Sequence, residues 1–150
     1  MSSSHLFILK PGMWTGEGKI TLNMVAEELP FKMLWTISER DKSGKIKCTQ
    51  EVQIQGLSEG MKNEMTFYDF SPKVFSIEME NANVGRIIGT GLYDQQLLAW
   101  EFRENDLNFE GYETYKLEND NSYVMHGEYI TTDQLRTQID GKIMLEKGEK

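Results

Sequence analysis

The chain has 150 residues, enough for one domain that buries most of its apolar surface and too few for a second. Its 16 basic against 24 acidic residues give a net charge of -8, which repels a phosphate backbone and argues against nucleic acid or an anionic membrane as partner. A single cysteine, Cys48, excludes an internal disulfide and any multi-thiolate metal site, and suits a reducing, cytoplasmic setting.

Residues 1–10 read as a flexible leader. Their apolar run, Leu6-Phe7-Ile8-Leu9, is short of the roughly 7–15 residues of a secretory signal. No run approaches the roughly 18 apolar residues of a membrane-spanning helix. From Gly12 the sequence alternates with period two. Trp14, Ile20, Leu22 and Met24 share one face with Gly16 and Gly18, and Thr15, Glu17, Lys19, Thr21 and Asn23 share the other, the pattern of a half-buried strand. After a short connection from Val25 to Pro30, residues 31–40 put Phe31, Met33, Trp35 and Ile37 together. Asp41-Lys42-Ser43-Gly44 has the chemistry of a turn. The next strand, 46–55, sets Ile46, Cys48, Val52 and Ile54 against Lys47, Thr49, Glu51, Gln53 and Gln55.

A turn at 57–60 leads into a strand over 61–70, which Ser71-Pro72 ends. Phe75, Ile77 and Met79 then share a face over 74–80, and Asn81-Ala82-Asn83 turns the chain into a strand over 84–93. Past Asp94-Gln95, a strand over 96–104 sets Leu98, Trp100 and Phe102 against Ala99, Glu101 and Arg103. Asn105-Asp106 fits a two-residue hairpin turn. Strands over 107–117 and 122–132 flank Asn119-Asp120-Asn121. A last strand over about 134–145 carries Leu135, Ile139, Ile143 and Leu145 on one face.

Short polar turns between about ten strands, with no helical periodicity, predict an all-β antiparallel up-and-down meander. An open sheet of that width leaves two exposed edges, and closure into a single barrel removes them. Diameter grows with strand number, so a barrel of this size is expected to enclose a cavity.

Gly12-Met13-Trp14 resembles the Gly-x-Trp motif that opens lipocalin barrels, and Trp14-x-Gly16-x-Gly18 resembles the opening of nitrobindin-like haem-binding barrels of the same calycin group. The resemblance implies a calycin-like barrel with Trp14 plugging one end. In lipocalins a late-strand arginine stacks on that tryptophan. Arg136 lies in the corresponding strand, but alternation groups it with Gln138, Asp140 and Lys142 on the outer face. Val25 to Pro30 leaves no space for the helix pair of fatty-acid-binding proteins, and the residues after Leu145 none for the terminal lipocalin helix. A barrel without a helical lid is expected.

A haem in such a barrel needs an axial ligand, ordinarily a neutral imidazole. Of the two histidines, His5 lies in the leader, which leaves His126. Tyr123, Met125 and Tyr129 form one face of its strand and Val124, His126, Glu128 and Ile130 the other; either can be the inner one. In nitrobindin-like proteins the ligand histidine belongs to the last strand, where this sequence has none. No nucleophile elbow, phosphate loop or zinc-protease helix motif is present. Cys48, alternating with Ile46 and Val52, reads as a buried apolar thiol.

Bulky and pliable side chains supply the walls of an apolar pocket: Trp35, Phe67, Trp100, Phe102, Phe109, Tyr112 and Tyr115, with Met24, Met33, Met65 and Met125. The expected function is binding of a small apolar or amphipathic ligand, haem among the candidates, by Trp35, Phe67, Trp100, Phe102, Tyr112, Met125 and His126. One alternative is a small-molecule lyase, cyclase or isomerase, which requires Glu101, Glu110 or Glu113 to point inward beside a tyrosine. The other is a protein-interaction module with no ligand.

Overall fold

The computed structural model describes residues 7–23, 27–56, 60–82, 85–103, 110–119, 121–130 and 136–146. Ten strands follow in chain order: β1 Gly12–Leu22, β2 Glu28–Ile37, β3 Ile46–Ile54, β4 Met61–Ser71, β5 Val74–Asn81, β6 Gly85–Tyr93, β7 Leu97–Phe102, β8 Glu110–Asn119, β9 Ser122–Ile130 and β10 Arg136–Leu145. Each pairs antiparallel with its chain neighbours, and β1 pairs with β10 to close the barrel. The fold is the all-β meander that the alternation predicts, with no helix among the described residues. His5, Met24, Phe109, Leu135 and the Asn105-Asp106 turn lie outside the described residues.

The glycines of the opening strand have a structural reason at the closing seam. Gly18 faces Gly141, and a Cβ on Gly18 would stand 2.0 Å from the Asp140 carbonyl oxygen and 2.5 Å from the Gly141 Cα. Only glycine permits β1 and β10 to approach this closely.

Most apolar positions face inward, although Met13, Val74, Ile88, Leu92, Val124 and Met144 are exposed. At the end where β1 begins, Trp14, Trp35, Tyr115 and Tyr123 surround Phe7, whose ring centroid lies 5.4, 5.0, 4.9 and 5.5 Å from theirs. Residues 7–10, which the sequence assigns to a leader, thus place Phe7 and Ile8 inside the barrel, both fully buried. Ile8 adopts φ 60°, a left-handed conformation that costs a β-branched residue strain and that the surrounding packing must hold. The sequence gives little sign of this because a four-residue apolar run before the first alternating strand carries no period. Trp14 sits at this end, its ring centroid 5.5 Å from that of Tyr123. Arg136 is exposed at the opposite end, where β10 begins, and takes no part in the plug.

Beyond the rings around Phe7 the interior is also lined by Met33, Met65, Met79 and Met125, all buried, together with Phe31, Phe102 and Ile87. Three buried polar side chains also point into it: Gln50 from β3, Asn63 from β4 and Glu113 from β8.

Candidate functional site

Alternation along β8 turns Gly111, Glu113, Tyr115 and Leu117 inward and Tyr112, Thr114 and Lys116 outward. Along β9 it turns Tyr123, Met125, Gly127 and Tyr129 inward. Two of these positions are glycine, each opposite a functional side chain. Gly111 pairs with Tyr129, and a Cβ there would lie 2.1 Å from the Tyr129 ring; Gly127 pairs with Glu113, and a Cβ there would press its Cγ at 3.2 Å. The missing side chains are the space that Tyr129 and Glu113 occupy.

Glu113 is 3% exposed. The Tyr115 hydroxyl donates to its Oε1 at 2.5 Å and the Tyr129 hydroxyl to its Oε2. Gln50 reaches in from β3 and donates to both Glu113 and the Tyr115 oxygen. Its Oε1 accepts from Asn63 Nδ2 at 2.6 Å, and Asn63 Oδ1 accepts from Asn81 Nδ2 at 2.8 Å. A polar relay therefore runs through an otherwise apolar interior, which satisfies the requirement that buried polar groups be hydrogen-bonded.

Burial pushes the Glu113 carboxyl up, against the opposing pull of the hydrogen bonds from Tyr115, Tyr129 and Gln50. Burial likewise holds the Tyr115 and Tyr129 phenols well above their ordinary value, reinforced by the neighbouring carboxyl, so both remain donors. No lysine, arginine or histidine faces inward among the described residues, and none there forms an ion pair with Glu113.

Aromatic rings wall the cluster. Trp100 lies 5.1 Å from Tyr115, 5.3 Å from Phe67 and 6.0 Å from Trp35. Trp35 stands directly across from Gln50 in the β2–β3 register. The Nε1 atoms of Trp35 and Trp100 are buried without a well-formed hydrogen bond among the described residues; that of Trp100 bears on the Tyr129 oxygen.

Of the expected ligand-binding residues, Trp35, Phe67, Trp100, Phe102 and Met125 face the interior. Tyr112 and His126 do not. His126 lies on the outer face with Nδ1 2.6 Å from Asp140 and Nε2 3.3 Å from Glu128, which also accepts from the Tyr112 hydroxyl at 3.2 Å. The hydrogen bond with Asp140, more than that with Glu128, raises its pKa. The reason is register: bulky Tyr123, Met125 and Tyr129 take the inner face of β9, which sends His126 out. An axial bond from His126 to a haem in the interior is therefore ruled out by its direction.

The three carboxylates separate in the same way. Glu101 is on the outer face, 3.1 Å from Arg103, and Glu110 is exposed, whereas Glu113 points inward beside two phenols. Sequence reasoning missed Gln50 and Asn63 as site residues. Their signal was a polar residue at an inner-face position, Gln50 falling between Cys48 and Val52. Cys48 is buried and its thiol is pushed far up by desolvation, as its alternation implied. No cluster of three metal-ligating side chains occurs among the described residues.

The closed ten-stranded meander defines a calycin-like β-barrel. The S-type phycobiliprotein lyase CPES from Guillardia theta shares it, with a TM-score of 0.69 and 9% identity over 93% of this chain and 90% of that one. So does EF1p2_mFAP2b, solved bound to DFHBI, with a TM-score of 0.55 and 10% identity over 97% of this chain and 100% of that one. No protein-family model matches the sequence, and no curated protein is significantly similar to it. At these identities the likeness is one of fold.

Proposed function

We propose that this protein binds a small, flat, largely apolar molecule inside its barrel. Glu113, Tyr115, Tyr129 and Gln50 hold the polar end of the ligand, and Trp35, Phe67, Trp100, Phe102 and Met125 contact its body. The observation that carries this reading is a carboxyl, two phenols and an amide converging inside an apolar barrel beside an indole N–H with no partner among the described residues. Burying such groups costs stability that a purely structural core avoids, and a few convergent polar groups on an apolar wall are the usual composition of a ligand site. The methionines repack at low cost around an entering ring. Support also comes from the shared fold: one neighbour is a phycobiliprotein lyase and the other holds DFHBI.

Native mass spectrometry of protein isolated from its own cells tests this reading. A retained small molecule, depleted in Glu113→Gln and Tyr129→Phe, is the expected result. Protein that carries nothing, and whose tryptophan fluorescence is unchanged by DFHBI or haemin, contradicts it.

The enzymatic reading keeps one specific support, the placement of Glu113 between Tyr115 and Tyr129. A carboxyl kept neutral by burial can protonate a bound molecule and later recover the proton, the chemistry of a lyase, cyclase or isomerase. Recovery of a chemically altered ligand from wild type, and of the unaltered one from Glu113→Gln, separates catalyst from carrier.

A further inference from the structure

The inward-facing positions of the described strands hold one carboxyl and no base. Each polar neighbour of Glu113 acts on it as a donor: Tyr115 on Oε1, Tyr129 on Oε2, and the Gln50 amide. Three donors around a carboxyl are arranged for its anion, yet no inward-facing side chain among the described residues neutralises that charge. An uncompensated buried charge is costly, which favours the protonated carboxyl.

We infer that the ligand of this interior is a flat aromatic molecule bearing a positively charged nitrogen, seated against Glu113. This rests on the ligand-binding reading above and adds the chemical class. A nitrogen cation supplies the missing charge, and the proton held by Glu113 leaves to solvent as the cation enters. The indoles of Trp35 and Trp100 and the Tyr115 ring offer faces that attract a cation. The Trp35 Nε1, without a partner among the described residues, adds a donor for an acceptor atom elsewhere on the same molecule, one strand away from Gln50. A carboxylate or phosphate ligand supplies no charge to offset the Glu113 anion and so gains nothing from its ionisation.

The titration that governs this preference belongs to Glu113. Tyr115 on its own strand and Tyr129 from β9 are the titratable groups facing it, and both stay neutral through the physiological range. Gln50 from β3 and Trp100 from β7 carry no titratable proton there.

Three probes of one shape test the inference by tryptophan quenching: 9-aminoacridine, a cation; 9-anthracenemethanol, neutral; and 9-anthracenecarboxylate, an anion. The cation is expected to bind at least tenfold tighter than the neutral probe, with the anion weakest. Glu113→Gln is expected to erase the difference. In wild type the preference for the cation grows as pH rises above the ordinary carboxylate range, because cation binding releases the Glu113 proton, while the neutral probe's affinity does not rise. This pH series needs no variant and decides the matter if Glu113→Gln fails to fold. Equal binding of cation and neutral probe, or a preference that survives in Glu113→Gln, overturns the inference and leaves the ligand-binding reading standing. Failure of all three probes to bind overturns both.

Discussion

Tyr129 donates its hydroxyl to Glu113 across the β8–β9 pair, and its ring lies over Gly111 in the volume a methyl group would fill. The pair depends on that vacancy. Gly111→Ala drives a Cβ to 2.1 Å from the ring and 2.6 Å from the Glu128 carbonyl oxygen, so the phenol or the strand must move. The expected cost is about 1–3 kcal/mol, the usual range for overpacking. Urea denaturation measures it, and an unchanged midpoint contradicts the packing described.

Glu113 also sets a pH dependence of unusual sign. Its pKa is raised in the folded protein, so between the ordinary carboxylate value and the folded value the native state binds more protons than the unfolded chain. Its contribution therefore favours the fold at low pH and is lost as pH rises through that window, the reverse of a salt-bridged carboxylate. Glu113→Gln removes this component, and the difference in Tm between variant and wild type shifts in the variant's favour as pH rises from 4 to 8. A pH-independent difference contradicts the assignment.

Phe7 contributes to stability although it precedes the first strand. Its ring touches Trp14, Trp35, Tyr115 and Tyr123, so Phe7→Ala leaves a buried void and is expected to cost about 3–5 kcal/mol. Thermal denaturation measures the loss, and a change below about 1 kcal/mol indicates that the site collapses or that the segment is not held.

His126 acts on the outer face alone. Its side chain is 35% exposed, and its pairing with Asp140 raises its pKa. That pairing stabilises the fold below the ordinary histidine value, and the benefit disappears as pH rises through the folded value. Solvent screening limits it to a few tenths to about 1 kcal/mol. Asp140→Asn lowers the His126 pKa, which an NMR titration follows, and His126→Ala leaves the affinity for 9-aminoacridine unchanged. A tenfold loss of affinity in His126→Ala contradicts the outward placement.

The architecture was legible because alternation is unusually regular: Trp14 through Leu22 and Leu98 through Phe102 declare their inner faces without reference to a partner. The pairing of β1 with β10 followed from the need to remove edges. What stayed hidden was the direction of β8 and β9. Tyr112 is more apolar than Glu113, so local preference points the tyrosine inward, and the structure does the opposite. Tyr115, Tyr129 and Gln50 compensate Glu113, but they come from separate positions and, for Gln50, a distant strand. Non-local hydrogen bonding of this kind leaves no period in the sequence. Phe7 was missed for a related cause, since its partners are dispersed over β1, β2, β8 and β9.

The central claim, that a ligand enters the barrel beside Glu113, is tested most directly by the three tryptophan indole N–H signals in a two-dimensional NMR spectrum. Trp100 borders the cluster, Trp35 reaches from it to Phe7 and to Trp14, its register partner on β1, and Trp14 packs against Phe7 and Tyr123. Saturation with 9-aminoacridine is expected to shift the Trp35 and Trp100 signals strongly and the Trp14 signal little. Unmoved Trp35 and Trp100 signals at saturation would place the ligand outside the barrel and contradict the account.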